Sequence, residues 1–415
     1  VQPTPFDFEY EPGAIHYGRG RIADLGEILA DCGLDRALVV CGSNTGANRD
    51  LMDPVVTGLG ERHVATFDGT TPDKRVETAI AVADRADALD VDVLVPVGGG
   101  SSLDVATVAT VLRTDGRDLA AVREEVRETG GISLPEDADA LTPLVPVPTT
   151  LAGADLSILA GITVELDGEV VSTGIGGREL MPRDLLYDPA LFETTPPSVL
   201  AGSAMNGFDK ALDSLYAANG TPITDATAAH AVSALADGLT SLFGDGSGSD
   251  GGSEFDAGSD GDDQTAMDTA VAGIVLAQYG ISRPQGTTLN VLHAFGHALR
   301  DTFGLQQGVA HAVIAPHALA DLFASGVDPG PLVSAFGVDD GSEVVDRVRE
   351  VRDALGLPTR LRDVAGDALS DDEDRRESKL TVAAEATAAD SLASNAPPAY
   401  DLSETAARRV LDAAW

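Results

Sequence analysis

The chain has 415 residues, a length on the scale of two or three domains, and 43% of them are hydrophobic, enough to bury a core. It carries 27 basic against 67 acidic groups, a formal net charge of −40, which disfavours nucleic acid and anionic membrane surfaces as partners. No apolar run approaches the roughly 20 residues of a membrane span.

From the N-terminus, Val1-Gln2-Pro3-Thr4-Pro5 lacks the basic and apolar regions of a signal peptide, so a cytoplasmic protein is expected. Cys32 and Cys41 form no metal-spacing motif and no disulfide framework. Arg36 to Cys41 is a short apolar run that reads as a buried strand. Residues 74–88 have helical spacing. Asp92 to Val97 is a second strand, ending in Gly98-Gly99-Gly100, and Leu144 to Val147 is a third, ending in Pro148-Thr149-Thr150. Strands spaced by helices predict an α/β fold with a parallel sheet and helices on its faces. A boundary is expected near Tyr187-Asp188-Pro189, dividing a dinucleotide-binding part, 1–187, from an all-α part, 188–415, that completes the active site. In that second part, residues 198–217, 223–243, 265–281, 288–303 and 309–325 repeat with a period near 3.6 and read as helices, with no strand-like run. Residues 244–263, almost all Gly, Ser, Asp and Glu, read as a solvated acidic loop.

Lysine occurs only three times, at positions 74, 210 and 379, against 24 arginines, and the acidic residues are spread through every segment. This composition resembles that of proteins from extreme halophiles. In molar salt the Debye length is about 3 Å, so surface self-repulsion nearly vanishes.

Gly98-Gly99-Gly100-Ser101-Ser102-Leu103-Asp104 follows a strand and opens a helix. Glycines let a phosphate approach the backbone, and unpaired N–H groups at a helix start attract its charge. Ser101 adds a donor, while Asp104 suits the turn itself or a cofactor hydroxyl. Thr149 and Thr150, at the end of another parallel strand, are expected at the same edge, where ligands collect; the alternative is a cap for a following helix. After the strand at 36–41, Gly42-Ser43-Asn44 supplies no carboxylate for a ribose 2′-hydroxyl, so both NADH and NADPH are permitted.

With these motifs the chain resembles the iron-containing (group III) alcohol dehydrogenase superfamily, and within it the maleylacetate reductase branch. The resemblance rests on Phe6 to Tyr10 with Tyr17 to Gly20, similar to the branch's N-terminal strand; on the glycine turn; on Pro148 to Ser157; on Met205-Asn206 with Leu215-Tyr216-Ala217; and on His297-Ala298-Leu299, Thr302 to Leu305, His311 and Pro316 to Leu319. It implies a nicotinamide cofactor, a small carbonyl or alcohol substrate and a homodimer. Iron enzymes of the superfamily hold a divalent metal by an Asp, a His one helical turn later, and two further His. Matched place by place, these are Asn206, Lys210, His293 and Gln307. Two lysines of the family also lack a match: Glu169 to Ser172 contains none, and Thr107 stands in the other's place.

An ammonium has no lone pair to give a metal, and carboxamide oxygens are weak ligands, so no bound metal is expected. Lys210 is instead expected to stabilise the negative oxygen formed when hydride adds to a carbonyl; the alternative is a surface lysine paired with Asp209 or Asp213. His297 is the expected acid–base residue. His293 is grouped with them as a catalytic candidate, against the alternative of a hydrogen-bonded core histidine, and Asn206 and Gln307 are the expected substrate contacts. The leading expectation is therefore a metal-independent NAD(P)(H)-dependent reductase. Against it stand a metal-dependent alcohol dehydrogenase, a sugar-phosphate enzyme of similar architecture, and an inactive nucleotide- or metabolite-binding protein of the same fold.

Overall fold

A computed structural model describes residues 5–244, 261–366 and 372–415. Strand β1 (Ala14–Tyr17) is followed by helix α1 (Leu25–Asp31), β2 (Ala37–Gly42), α2 (Ser43–Ala47), α3 (Arg49–Leu59), β3 (His63–Thr70), α4 (Val76–Ala88), β4 (Val93–Gly98), α5 (Gly100–Asp115), α6 (Leu119–Thr129) and the two-residue β5 (Val147–Pro148). Strands β3, β2, β4 and β5 lie in that order in one parallel sheet. β8 (Asp184–Tyr187) pairs in parallel with β1, and backbone bonds from Arg183 to Leu144 and from Leu186 to Pro146 continue the array past β5.

The uniformly apolar β2 and β4 follow from burial on both faces. Side chains alternate along a strand. Leu38 and Val40 therefore pack with α4, α5 and α6, while Ala37, Val39 and Cys41 pack with α1 and α3. The parallel arrangement brings the carboxyl ends Gly42, Thr70, Gly98 and Pro148 to one edge, the usual ligand edge of such sheets.

Three features differ from expectation. Phe6 to Tyr10 forms no strand; only Ala14–Tyr17 pairs. β6 (Leu159–Leu166) and β7 (Glu169–Gly176) form an antiparallel hairpin of eight residue pairs, turned by Asp167-Gly168 with φ of 53° and 88°. Asp-Gly is a strong signal for such a turn because both residues must take positive φ. No helix follows Thr149-Thr150, so these threonines are not a helix cap; residues 151–158 form turns.

After the short α7 (Pro189–Phe192) come α8 (Pro197–Tyr216), α9 (Pro222–Phe243), α10 (Gly261–Gln278), α11 (Val291–Phe303), α12 (Gln307–Ala324), α13 (Gly330–Phe336) and α14 (Gly341–Ala354). Helices Glu373–Ala389 and Glu404–Ala414 close the chain. Two short strands, Ser282–Arg283 and Gly286–Thr287, pair in the interval between two expected helices, where no strand was expected. Most of the acidic segment, 245–260, lies outside the described residues, and residues 261–263 open α10 rather than belonging to a loop. Among the described residues no helix is long and apolar enough to cross a membrane.

Helix α8 runs through the largest core and touches both parts of the chain. Glycine permits this. A Cβ on Gly207 would lie 2.2 Å from the carbonyl oxygen of Leu151, and one on Gly308 would lie 1.7 Å from that of Gly202. Both obstacles are backbone, so neither can swing aside. Gly308→Ala is expected to cost about 3 kcal/mol or more, read as a lowered urea midpoint at unchanged m; an unchanged midpoint would show that α8 and α12 are not in contact here.

Candidate active site

The dinucleotide end is built by the sheet edge. Gly98, at φ 124°, ends β4, and Gly99 caps α5 without a side-chain hydrogen bond. The Ser102 N–H already donates to the Gly99 carbonyl at 3.1 Å, so at the start of this 16-residue helix the Gly100 and Ser101 N–H groups are the ones that can face an anion. A Cβ on Gly99 would lie 3.0 Å from Thr150, and one on Gly42 would lie 3.2 Å from the Thr70 carbonyl. Thr70 bonds Ser102 between hydroxyls at 3.0 Å, and the Thr149 N–H donates to the Gly98 carbonyl at 3.0 Å. Gly42, Gly98, Gly99, Gly100, Thr149 and Thr150 therefore lie together at one edge of the sheet, with Ser101 partly buried beside them and Ser43 exposed at the start of α2. Asp104, one turn along α5, accepts a 2.5 Å hydrogen bond from Lys74 and another from the Gly161 N–H.

The reactive end is built by α8, α11 and α12 around the turn at 151–155. Asn206 and Lys210 sit on one face of α8, and both reach this turn: Asn206 Nδ2 donates to the Ala152 carbonyl at 3.1 Å and Lys210 Nζ to the Gly153 carbonyl at 2.5 Å. Lys210 is paired with neither Asp209 nor Asp213, which removes the surface ion-pair alternative. Burial pushes its pKa down to about 8; the charges of Asp155 and Asp104 hold it up, and Lys74 adds to the fall. Asp155 is buried, and that burial raises its carboxyl to about 6 although Gln278 and Tyr187 donate to it at 3.1 and 3.2 Å. Gln278 also accepts from the Asp155 and Leu156 N–H groups, so one side chain of α10 fixes the whole turn.

His293 is fully buried on α11. Its Nδ1 meets Asp213 Oδ2 at 2.8 Å, while Nε2 has no partner. Asp213 also accepts from Tyr216 and from the N–H groups of Asn290 and Leu292, and so caps α11. Burial holds His293 well below the usual imidazole range, and the charges of His311, Lys210 and His297 add to this. The proton is therefore assigned to Nδ1, leaving Nε2 as an acceptor. Behind it His311 lies edge-on at 4.5 Å between ring centres, with Nδ1 3.1 Å from Asp209 Oδ2. Burial drives His311 down to about 3 and Asp209 well up. Gly296 makes room, since a Cβ there would lie 2.1 Å from His311 Nε2. His297 is partly exposed, and its Nδ1 meets Asp390 Oδ2 at 2.9 Å. Gln307 opens α12 beside Gly308, which packs against Gly202 and Asn206.

The comparisons with known proteins agree with this construction. The sequence profile for iron-containing alcohol dehydrogenase matches residues 12–189. The chain is 28% identical over 374 residues to the maleylacetate reductase of Pseudomonas aeruginosa, covering 87% of this chain and 84% of that one. A maleylacetate reductase of Rhodococcus opacus is 26% identical, at 88% and 84% coverage. Residues 12–189 thus match the iron-containing alcohol dehydrogenase family, and the chain is similar to the maleylacetate reductases over most of its length. The fold agrees with solved members: maleylacetate reductase of Agrobacterium tumefaciens (TM-score 0.75, 23% identity, 99% of this chain and 98% of that one) and sulfoacetaldehyde reductase of Bifidobacterium kashiwanohense in complex with NAD+ (TM-score 0.80, 18% identity, 99% of each).

In this chain the four places that match the metal-holding ones of iron enzymes do not fit a divalent ion. Lys210 offers an ammonium, Asn206 and Gln307 carboxamides, and His293 the one free imidazole nitrogen. Among the described residues no group of three or more His, Cys, Asp or Glu is arranged to hold a metal. The unpartnered, buried Oδ1 of Asn206 and Nε2 of His293 suit a polar ligand instead. The sequence reading missed Lys74, Asp155 and Asp390. Asp155 stood in a matched motif and was passed over; the other two carried no local signal.

Proposed function

We propose that this protein is a metal-independent NAD(P)H-dependent reductase of a small carbonyl compound, running as a dehydrogenase in reverse. The observation that carries the reading is the Lys210 ammonium, turned inward onto the Gly153 carbonyl at the place where iron enzymes hold their metal. The bound nicotinamide would supply or accept the hydride. Gly98, Gly99, Gly100, Ser101, Thr149 and Thr150, with Gly42 and Ser43, are its proposed seat, in a cleft between the parts 1–187 and 188–415, and Asp104 borders that seat without contacting the cofactor.

Lys210 acts on the substrate oxygen. Negative charge grows there as hydride arrives, and an ammonium held in a water-poor site stabilises it without reorganisation. His297 is the proposed proton relay to that oxygen, through the Nε2 opposite its bond to Asp390. His293 Nε2 accepts from a substrate hydroxyl or water, and Asn206 and Gln307 orient the polar substituents. The printed names of the relatives, maleylacetate and sulfoacetaldehyde reductases, favour a small oxo-compound. We further propose a cytoplasmic homodimer working in high salt; no nucleic acid or membrane partner is invoked.

The test is NADH and NADPH oxidation over a panel of aldehydes and oxo-acids in saturating EDTA. Unchanged turnover is expected; loss restored by Fe²⁺ or Zn²⁺ would sink the reading, and cofactor binding without turnover would favour the inactive binding protein. Asp390→Asn is expected to lower kcat about tenfold with little change in KM, since its amide no longer enforces the His297 tautomer. Equal losses in kcat and in folding midpoint would make Asp390 merely structural.

A further inference from the structure

The other two lysines are used very differently. Lys379 donates to the Thr302 carbonyl at 2.6 Å and lies 5.2 Å over the Phe303 ring, a helix-end contact. Lys74 comes from the turn between β3 and α4, at the carboxyl edge of the sheet, and places Nζ 2.5 Å from Asp104 Oδ2. Its backbone is held there. Lys74 takes φ 48°, its carbonyl accepts from the Thr163 N–H at 2.9 Å, and the Thr163 hydroxyl donates to the Asp73 carbonyl at 2.6 Å. The turn is thus tied to the hairpin strand β6 in a left-handed conformation unusual for a lysine. In a chain with 24 arginines, one of only three lysines is thus bonded to Asp104.

The charge arithmetic of this sheet edge explains why a cation is needed. Asp104 is one turn along α5 from Gly100, the place proposed for a diphosphate. A bare carboxylate so close repels that anion, in a molecule already at −40. Lys74 is bonded directly to this carboxylate.

Resting on the dinucleotide reading above, we propose that Lys74 is a cofactor-positioning residue: it neutralises and orients Asp104 so that a dinucleotide diphosphate can settle on the Gly98–Gly100 turn. It thereby supplies, from the β3–α4 turn, positive charge that no lysine of α5 or β7 provides. Around the pair stands the Gly161 N–H, with Lys210 and Asp155 beyond it.

The experiment is calorimetric titration of the full chain with NADH, NADPH and ADP-ribose, in 0.5 M and 3 M KCl. Lys74→Met is expected to weaken all three about tenfold at the lower salt and less at the higher, where screening replaces it. Lys74→Arg, which keeps the charge, is expected to stay within about threefold of wild type. The decisive variant is Lys74→Met/Asp104→Asn. If Lys74 works by cancelling Asp104, removing both charges restores affinity to within about threefold of wild type. Thermal melts of each variant check the fold. Wild-type affinity in Lys74→Met, or a double variant as weak as the single one, overturns the proposal while leaving the dinucleotide reading intact. Wild-type protein that binds none of the three ligands overturns both.

Discussion

Lys210→Ala is expected to lower kcat for carbonyl reduction about a hundredfold, while KM and NAD(P)H affinity change little. A preorganised donor to a developing oxyanion contributes on the order of 3 kcal/mol to barrier lowering, and that contribution is made in the transition state rather than in the ground state. Lys210→Arg keeps the charge on a larger, planar head with a different hydrogen-bond geometry, so only partial recovery is expected. The pH profile gives an independent readout. The acting form is the protonated amine, whose pKa burial has lowered to about 8, so reduction rates should be full below that value and fall tenfold per pH unit above it. In Lys210→Ala this alkaline limb should vanish. An unchanged limb would assign it to another group, and a KM effect without a kcat effect would make Lys210 a binding residue only.

The second large effect concerns stability. With a net charge of −40 the folded chain repels itself, and at 0.1 M salt the Debye length of about 10 Å leaves neighbouring carboxylates in contact electrostatically. Raising KCl to 3 M should increase the melting temperature by more than about 10 °C, and dialysis to low salt should unfold the protein or loosen its packing. Two buried histidines add a pH dependence to this stability, opposed by the buried Asp209 and Asp213 carboxyls, whose pKa values burial raises. His293 and His311 are held neutral in the fold, with pKa values well below the ordinary one of 6.5. The unfolded chain binds more protons than the folded one at these positions below pH 6.5, so their contribution is lost as pH falls through that value. A melting temperature indifferent to salt would remove the halophilic reading and leave the acidity unexplained.

What could be read in the sequence had local causes. The strands at 37–42 and 93–98 are buried on both faces, so each is a continuous apolar run followed by glycine. The helices from 197 to 324 repeat their Ala and Leu with the period that α8 to α12 require. β3 was not read because its exposure is mixed and its pattern irregular. The hairpin at 159–176 was not read although Asp167-Gly168 announces its turn; its strands alternate around exposed Leu159 and Val170. The candidate site divides in the same way. Positions 206, 210, 293 and 297 were found as pairs one helical turn apart. Lys74 with Asp104, and His297 with Asp390, meet only through the tertiary fold. Asp209 and Asp213 were expected to be able to pair with Lys210 at the surface. Adjacent helix positions point about 100° apart, so Asp209 faces His311 and Asp213 faces His293 in the core while Lys210 faces the turn at Gly153.

In the proposed site an ammonium stands where related enzymes keep an ion. This is tested most directly by metal content: purified protein is equilibrated with excess Fe²⁺ or Zn²⁺, dialysed free of unbound ion, and the metal per chain is measured by elemental analysis. The account predicts well under one tenth of an equivalent, because the donor set at 206, 210, 293 and 307 holds only one good ligand. One full equivalent retained by the wild type and lost in His293→Ala would contradict it.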